Sequence, residues 1–144
     1  MSSLVIDVSV AVKWFLPKRD EDLVDQAMEL LARYRDAKLR FLVPDLFWAE
    51  FGNVMWKAVR VGRCTREIAK DSIAEIKTLG LPTVPSQILI EQALSLALSF
   101  NRSVYDSLYV ALAMESAAQL VTADEKLANA LAAHLPVKWL GALL

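Results

Sequence analysis

Four acidic residues stand in this chain where acids are unusual. Asp7 ends the apolar run that opens "LVIDVSVAVKWF", and Glu50 sits among large apolar residues in "VPDLFWAEFGNVMW". Asp106 lies at the start of "YDSLYVALA", and Asp124 follows the apolar residues of "QLVTAD". An unpaired buried charge is expensive, so each of these must face water, cap a helix or meet a cation. Taken singly, three of them have a structural reading. Asp124 can cap the helix "EKLANAL", Asp106 can close a capping box with Ser103, and Asp7 can occupy a turn before Ser9. A cap accounts for one carboxylate at a time, not for four at similar junctions.

Four carboxylates brought together repel one another and hold protons unless a cation joins them. Oxygen donors alone select a hard cation, Mg²⁺ or Mn²⁺, which is suited to phosphate chemistry. Ser9 and Thr122 add hydroxyls beside Asp7 and Asp124, and Asn53 follows Glu50 by about one helical turn. The segment "KAVRVGRCTR" carries Lys57, Arg60, Arg63 and Arg66, while Lys13, Arg102 and Lys126 lie near the acids in sequence. As phosphate contacts, such cations position a nucleic-acid strand without reading its sequence.

Absences narrow the chemistry further. His134 is the only histidine and Cys64 the only cysteine, which excludes histidine-rich metal sites, cysteine-based zinc sites and an internal disulfide. His134 lies in "LAAHLP", where a helix is expected to end and a cation is mildly favoured. The four glycines, Gly52, Gly62, Gly80 and Gly141, are too scattered for a glycine-rich phosphate loop. A net charge of −1 gives no overall attraction to nucleic acid, so any such role needs a local patch.

The elements that must position the acids are readable from hydrophobic periodicity. Short apolar runs predict strands at Leu4–Asp7, Phe41–Val43 and Gln119–Thr122, with weaker candidates at Thr83–Val84 and Val137–Leu140. Helical patterns fall near 9–15, 22–36, 45–60, 66–78, 87–99, 104–117 and 125–133, and the five prolines lie between elements. This alternation predicts one α/β domain over residues 1–144, in three α/β/α layers around a central, mainly parallel sheet of four or five strands. In such a sheet, residues just beyond the carboxyl ends of the strands gather on one edge, where ligands bind. The hydrophobic content of 56% and mean hydropathy of +0.35 predict a large core or a subunit interface. Trp14, Phe15 and the "FWAEFGNVMW" helix would be shared between the two. No apolar run approaches the roughly 18 residues of a membrane span, and no basic leader opens the chain, so a cytoplasmic protein is expected.

On these residues the chain resembles the PIN-domain ribonucleases, and among them the VapC-type toxins of toxin–antitoxin pairs. The resemblance is carried by D-x-S at Asp7–Ser9, P-x-L-x-x-x-E-x-x-N at Pro44–Asn53, "YDSLYVALA" around Asp106 and "TADEKL" around Asp124. Together these motifs cover nearly the whole chain. The resemblance implies an acidic site of Asp7, Glu50, Asp106 and Asp124 holding Mg²⁺ or Mn²⁺, with Asp7 and Asp106 as the most direct ligands. It also implies a homodimer and a cognate VapB-like antitoxin, with RNA as the substrate. Hydrolysis by water activated in this way needs no 2′-hydroxyl and leaves a 5′-phosphate.

Two rival readings belong to other classes. A signalling receiver domain also gathers aspartates around Mg²⁺, but it needs an adjacent acidic pair after its first strand, where this chain has "IDVS". A catalytically idle binding partner on the same fold would not need all four acidic positions.

Overall fold

The computed structural model describes residues 2–143. Five strands form one sheet: β1 (Ser2–Ile6), β2 (Leu39–Pro44), β3 (Thr83–Val84), β4 (Gln119–Thr122) and β5 (Val137–Trp139). Their order is β3-β2-β1-β4-β5, and every pairing is parallel. Parallel strands need long crossovers, and helices supply them: α1 (Val8–Ala11), α2 (Val24–Arg35), α3 (Leu46–Arg60), α4 (Arg66–Lys77), α5 (Ile90–Phe100), α6 (Val104–Glu115) and α7 (Glu125–Leu131). The result is the expected α/β/α arrangement, and both weaker strand candidates are present.

Strand composition follows from burial on both faces. Val5, Ile6, Phe41, Val43, Leu120 and Val121 have no exposed surface, so the central strands read as continuous apolar runs rather than alternating ones. β1 sits between β2 and β4, with Leu4 opposite both Phe41 and Gln119. Helix α6 is buried from Ser107 to Ala113, which explains the uniformly apolar sequence after Asp106. Ser103 starts that helix by accepting the Asp106 backbone N–H at 3.1 Å.

Two helices differ from the sequence expectation. The pattern at 9–15 divides into α1 and a 3₁₀ turn at Val12–Trp14. β-branched Val8, Val10 and Val12 disfavour a longer α-helix, and Pro17 forbids its continuation. The pattern at 87–99 begins with a 3₁₀ turn at Ser86–Ile88, and α5 then ends on Asn101 in the left-handed conformation (φ 54°).

The aromatic residues divide between core and surface. Trp14 stacks on Phe41 at 5.9 Å and Phe15 meets Phe51 edge-on at 5.6 Å, so both are partly buried against the core. Phe47 and Phe51 of α3 are buried, whereas Trp56 is exposed. The longest exposed apolar stripe lies elsewhere, on α5, where Ile90, Leu94 and Leu98 recur every four residues and Leu98 is 77% exposed. Among the described residues, no helix is long and apolar enough to cross a membrane.

Candidate active site

The order of strands creates the site. From β1 the chain moves to β2 and β3 on one side, then returns to β4 on the other. Adjacent crossovers therefore diverge between β1 and β4, and the edge beyond their carboxyl ends is where open parallel sheets bind ligands. Asp7 is the first residue after β1, and its backbone N–H still bonds to Val121 of β4 at 3.1 Å. Its Oδ2 accepts the Ser9 hydroxyl at 2.6 Å and the Thr122 hydroxyl at 2.8 Å. Those hydroxyls are themselves fixed, because Ser9 Oγ accepts the Ala123 N–H and Thr122 Oγ1 accepts the Asp124 N–H. Asp7 is thus held rigidly, and its partners are neutral.

Glu50 comes from the second turn of α3, which follows β2 directly. Its Oε1 accepts the Tyr109 hydroxyl at 2.6 Å. Tyr109 is only 3% exposed and lies on α6, three residues after Asp106 and so on the same helix face. Asp106 is half-buried in the first turn of α6, where the helix N-terminus favours negative charge. Asp124 is exposed and caps α7 by accepting the Leu127 N–H at Oδ1, at 3.1 Å. The capping role expected of Asp124 is therefore real, and it engages one of the two carboxylate oxygens. Asn53 is exposed on α3 beyond Glu50.

Electrostatics tie the four acids together. Burial pushes the Asp7 carboxyl above its ordinary value, against the Ser9 and Thr122 hydrogen bonds, and the charge of Asp106 adds to the rise. Burial also raises Glu50, with the Asp7 and Asp106 charges adding to it against the Tyr109 hydrogen bond. Asp106 is raised by burial and by Asp124, with Arg102 and the Ser103 hydroxyl opposing. The Tyr109 phenol is driven far upward by burial and by the Asp7 and Glu50 charges, so it stays protonated and donates. Asp7, Glu50 and Asp106 are each strained by a neighbouring acid, as expected where charge is gathered for a cation.

The donor chemistry fits a hard divalent cation: oxygens only, in a crevice, with raised carboxyls and a single opposing arginine. As the side chains stand, no group of three or more His, Cys, Asp or Glu among the described residues is drawn together tightly enough to hold an ion. A bound cation would offset the repulsion among these carboxylates. Asp7 would be the fixed ligand of such a set, with Glu50, Asp106 and Asp124 arranged around it.

The basic residues separate into two groups. Lys13 is no phosphate contact: it is 6% exposed and donates to Glu21 Oε1, the Asp22 carbonyl and Asp22 Oδ1 at 3.1, 2.8 and 3.1 Å. Arg63 is likewise committed, donating to Glu21 and pairing with Asp20. The segment from Pro17 to Asp22 folds back over the end of α1 and supplies acids that sequence proximity alone did not assign to these cations. Lys57 and Arg60 remain exposed on α3, with the Arg60 guanidinium 5.3 Å from the centre of the Trp56 ring. Arg102 reaches the Lys126 carbonyl at 3.5 Å and lies close enough to act on Asp106. Tyr109 is the site residue that the sequence does not single out. Its spacing from Asp106 is the one signal it carries, hidden because the whole segment reads as core.

Comparison with known proteins agrees with the fold. The sequence model of the PIN domain matches residues 4–131. The chain is 28% identical over 130 residues to Ribonuclease VapC3 of Pyrobaculum aerophilum, covering 88% of this chain and 92% of that protein. Among solved structures, VapC20 of Mycobacterium tuberculosis, described as a sarcin–ricin loop cleaving toxin, aligns with a TM-score of 0.66 at 15% identity. That alignment covers 92% of this chain and 95% of VapC20. A toxin–antitoxin complex from Klebsiella pneumoniae aligns with a TM-score of 0.62 at 15% identity, over 94% of this chain and 95% of its own.

Proposed function

The chain belongs to the PIN-domain family, and on that premise we propose that it is a metal-dependent endoribonuclease, the toxin of a toxin–antitoxin pair. The observation that carries this reading is Asp7 at the ends of β1 and β4, locked by two hydroxyls and coupled by charge to Glu50 and Asp106. Mg²⁺ or Mn²⁺, when bound, supplies activated water and neutralises charge on the scissile phosphate. The protein's part is to hold and orient. Ser9 and Thr122 fix Asp7, Tyr109 fixes Glu50, and the α6 N-terminus favours the charge on Asp106. Asp124 keeps one carboxylate oxygen free of its cap, available to orient water.

Lys57 and Arg60 on α3, with Arg102 beside Asp106, form the cations proposed to draw in the RNA backbone. The exposed stripe Ile90–Leu94–Leu98 supports a homodimer formed through α5. An antitoxin partner is supported by the Klebsiella pneumoniae complex, whose toxin–antitoxin assembly contains a chain of this fold. A basic side chain of that partner, entering the acidic crevice, would compete with the cation for the same carboxylates. Incubation with a panel of RNAs in Mg²⁺ or Mn²⁺, with and without chelator, tests the proposal. Cleavage that the chelator abolishes, leaving 5′-phosphate ends, is the expected result. No cleavage with either metal would overturn the nuclease reading in favour of an idle binding domain.

A further inference from the structure

We propose that Tyr109 is a positioning residue for the metal site, acting through its hydrogen bond to Glu50. The proposal deepens the reading of the acidic crevice as a cation site and rests on it. A glutamate has three rotatable side-chain bonds, and Glu50 is only half-buried, so repulsion from Asp7 and Asp106 favours rotamers that swing it toward solvent. Asp7 has two neutral donors to resist the same repulsion. Glu50 has Tyr109. The phenol is 3% exposed and packed in the core, which makes it a fixed donor on a rigid ring, and its oxygen stands 2.6 Å from Glu50 Oε1. The bond spans 59 residues and joins α3 to α6, the helices that carry Glu50 and Asp106. Tyr109 therefore keeps two acids from different helices in one register, with Glu50 Oε2 left for a ligand.

Core packing alone does not account for this tyrosine. A phenylalanine would fill the same volume, and burying a hydroxyl costs free energy unless it finds a partner. Its partner here is one of the four acids rather than a backbone carbonyl. Outer-shell groups that orient a metal ligand commonly change metal affinity or activity by about 10- to 100-fold when removed.

The test is Tyr109→Phe in the full chain, with Mn²⁺ titrated against thermal stability. The expected result is a midpoint for Mn²⁺ weaker by about tenfold, with cleavage of RNA reduced at low Mn²⁺ and partly restored at high Mn²⁺. In the Glu50→Ala background, the same substitution should leave the Mn²⁺ midpoint unmoved, because the residue through which it acts is gone. A merely structural role predicts the opposite, namely equal loss of stability in both backgrounds and no change in metal midpoint. That outcome overturns the proposal. Failure of the nuclease reading looks different. If the wild type cleaves no RNA while Tyr109→Phe still weakens Mn²⁺ binding through Glu50, the positioning role stands and the nuclease assignment falls.

Discussion

Thr122 Oγ1 donates to Asp7 Oδ2 at 2.8 Å, so two residues 115 positions apart share one hydrogen bond at the ends of neighbouring strands. Thr122 is fully buried and also accepts the Asp124 N–H at 3.1 Å. A single hydroxyl thus links the acid after β1 to the acid after β4. Thr122→Val keeps the shape and removes that link. The substitution should weaken the Mn²⁺ midpoint by about tenfold and lower stability by about 1–2 kcal/mol. A Mn²⁺ titration followed by thermal shift measures the first and urea unfolding the second. An unchanged midpoint would mean that Thr122 does not orient Asp7.

Asp7→Asn and Asp106→Asn should each reduce RNA cleavage by at least about 100-fold, more than loss of an outer-shell partner does. Neither should weaken the fold in EDTA, because each removes one member of a repelling set. Mn²⁺ at a hundred times its dissociation constant should stabilise the wild type by about 2.7 kcal/mol and the variants far less. Thermal melts in EDTA and then in Mn²⁺ make the comparison. A variant melting well below the wild type in EDTA would reveal a structural carboxylate.

The same acids set a pH dependence. Asp7, Glu50 and Asp106 are all raised above their ordinary values of 3.8, 4.5 and 3.8. The folded chain therefore holds these protons more tightly than the unfolded chain. Their contribution to stability is complete below the ordinary carboxylate range and is lost as pH rises through the raised folded values. In chelator, the wild type should lose stability relative to Asp7→Asn as pH climbs above about 4. Urea unfolding across a pH series tests this. Taking the difference cancels carboxylates of opposite behaviour, such as Asp22, which the Lys13 hydrogen bond holds down. A difference that is flat with pH would contradict the prediction.

Lys13 and the α3 cations should separate stability from RNA binding. Lys13→Met leaves Glu21, which is 12% exposed, without one of its two basic partners. It should cost about 3 kcal/mol of stability and leave RNA affinity unchanged in the folded fraction. Lys57→Ala and Arg60→Ala should weaken RNA binding and flatten its salt dependence, while shifting stability by no more than about 0.5 kcal/mol. Binding at several salt concentrations, alongside melts, distinguishes them. Weaker RNA binding by Lys13→Met with an unchanged melt would contradict the buried ion pair.

Leu98→Asp places a charge at the most exposed position of the α5 stripe. If the dimer forms there, light scattering should show the variant as a monomer at concentrations where the wild type is a dimer. Its melting temperature should then cease to depend on concentration. A wild type that remains monomeric would remove the dimer.

The fold class and the four acids are legible along the chain, because both rest on local pattern. Continuous apolar runs such as Leu4–Ile6 and Phe41–Val43, short and alternating with helical patterns, read as strands of a buried parallel sheet. An acid at the end of such a run, or among the aromatics beside Glu50, conflicts with its surroundings and so stands out. Pairing across the fold is a different matter. That Thr122 joins the neighbouring Ser9 on Asp7 follows from β4 lying beside β1, a consequence of the strand order. Lys13 lies six residues from Asp7 in the chain, yet the return of the Pro17–Asp22 segment gives it to Glu21 and Asp22. Tyr109 looks like core in sequence because it is core, and only the approach of α3 turns its hydroxyl into a contact with Glu50. Hydrogen bonds are short-ranged and directional, so their partners depend on where whole elements pack. Burial needs only the apolar pattern, and that is written along the chain.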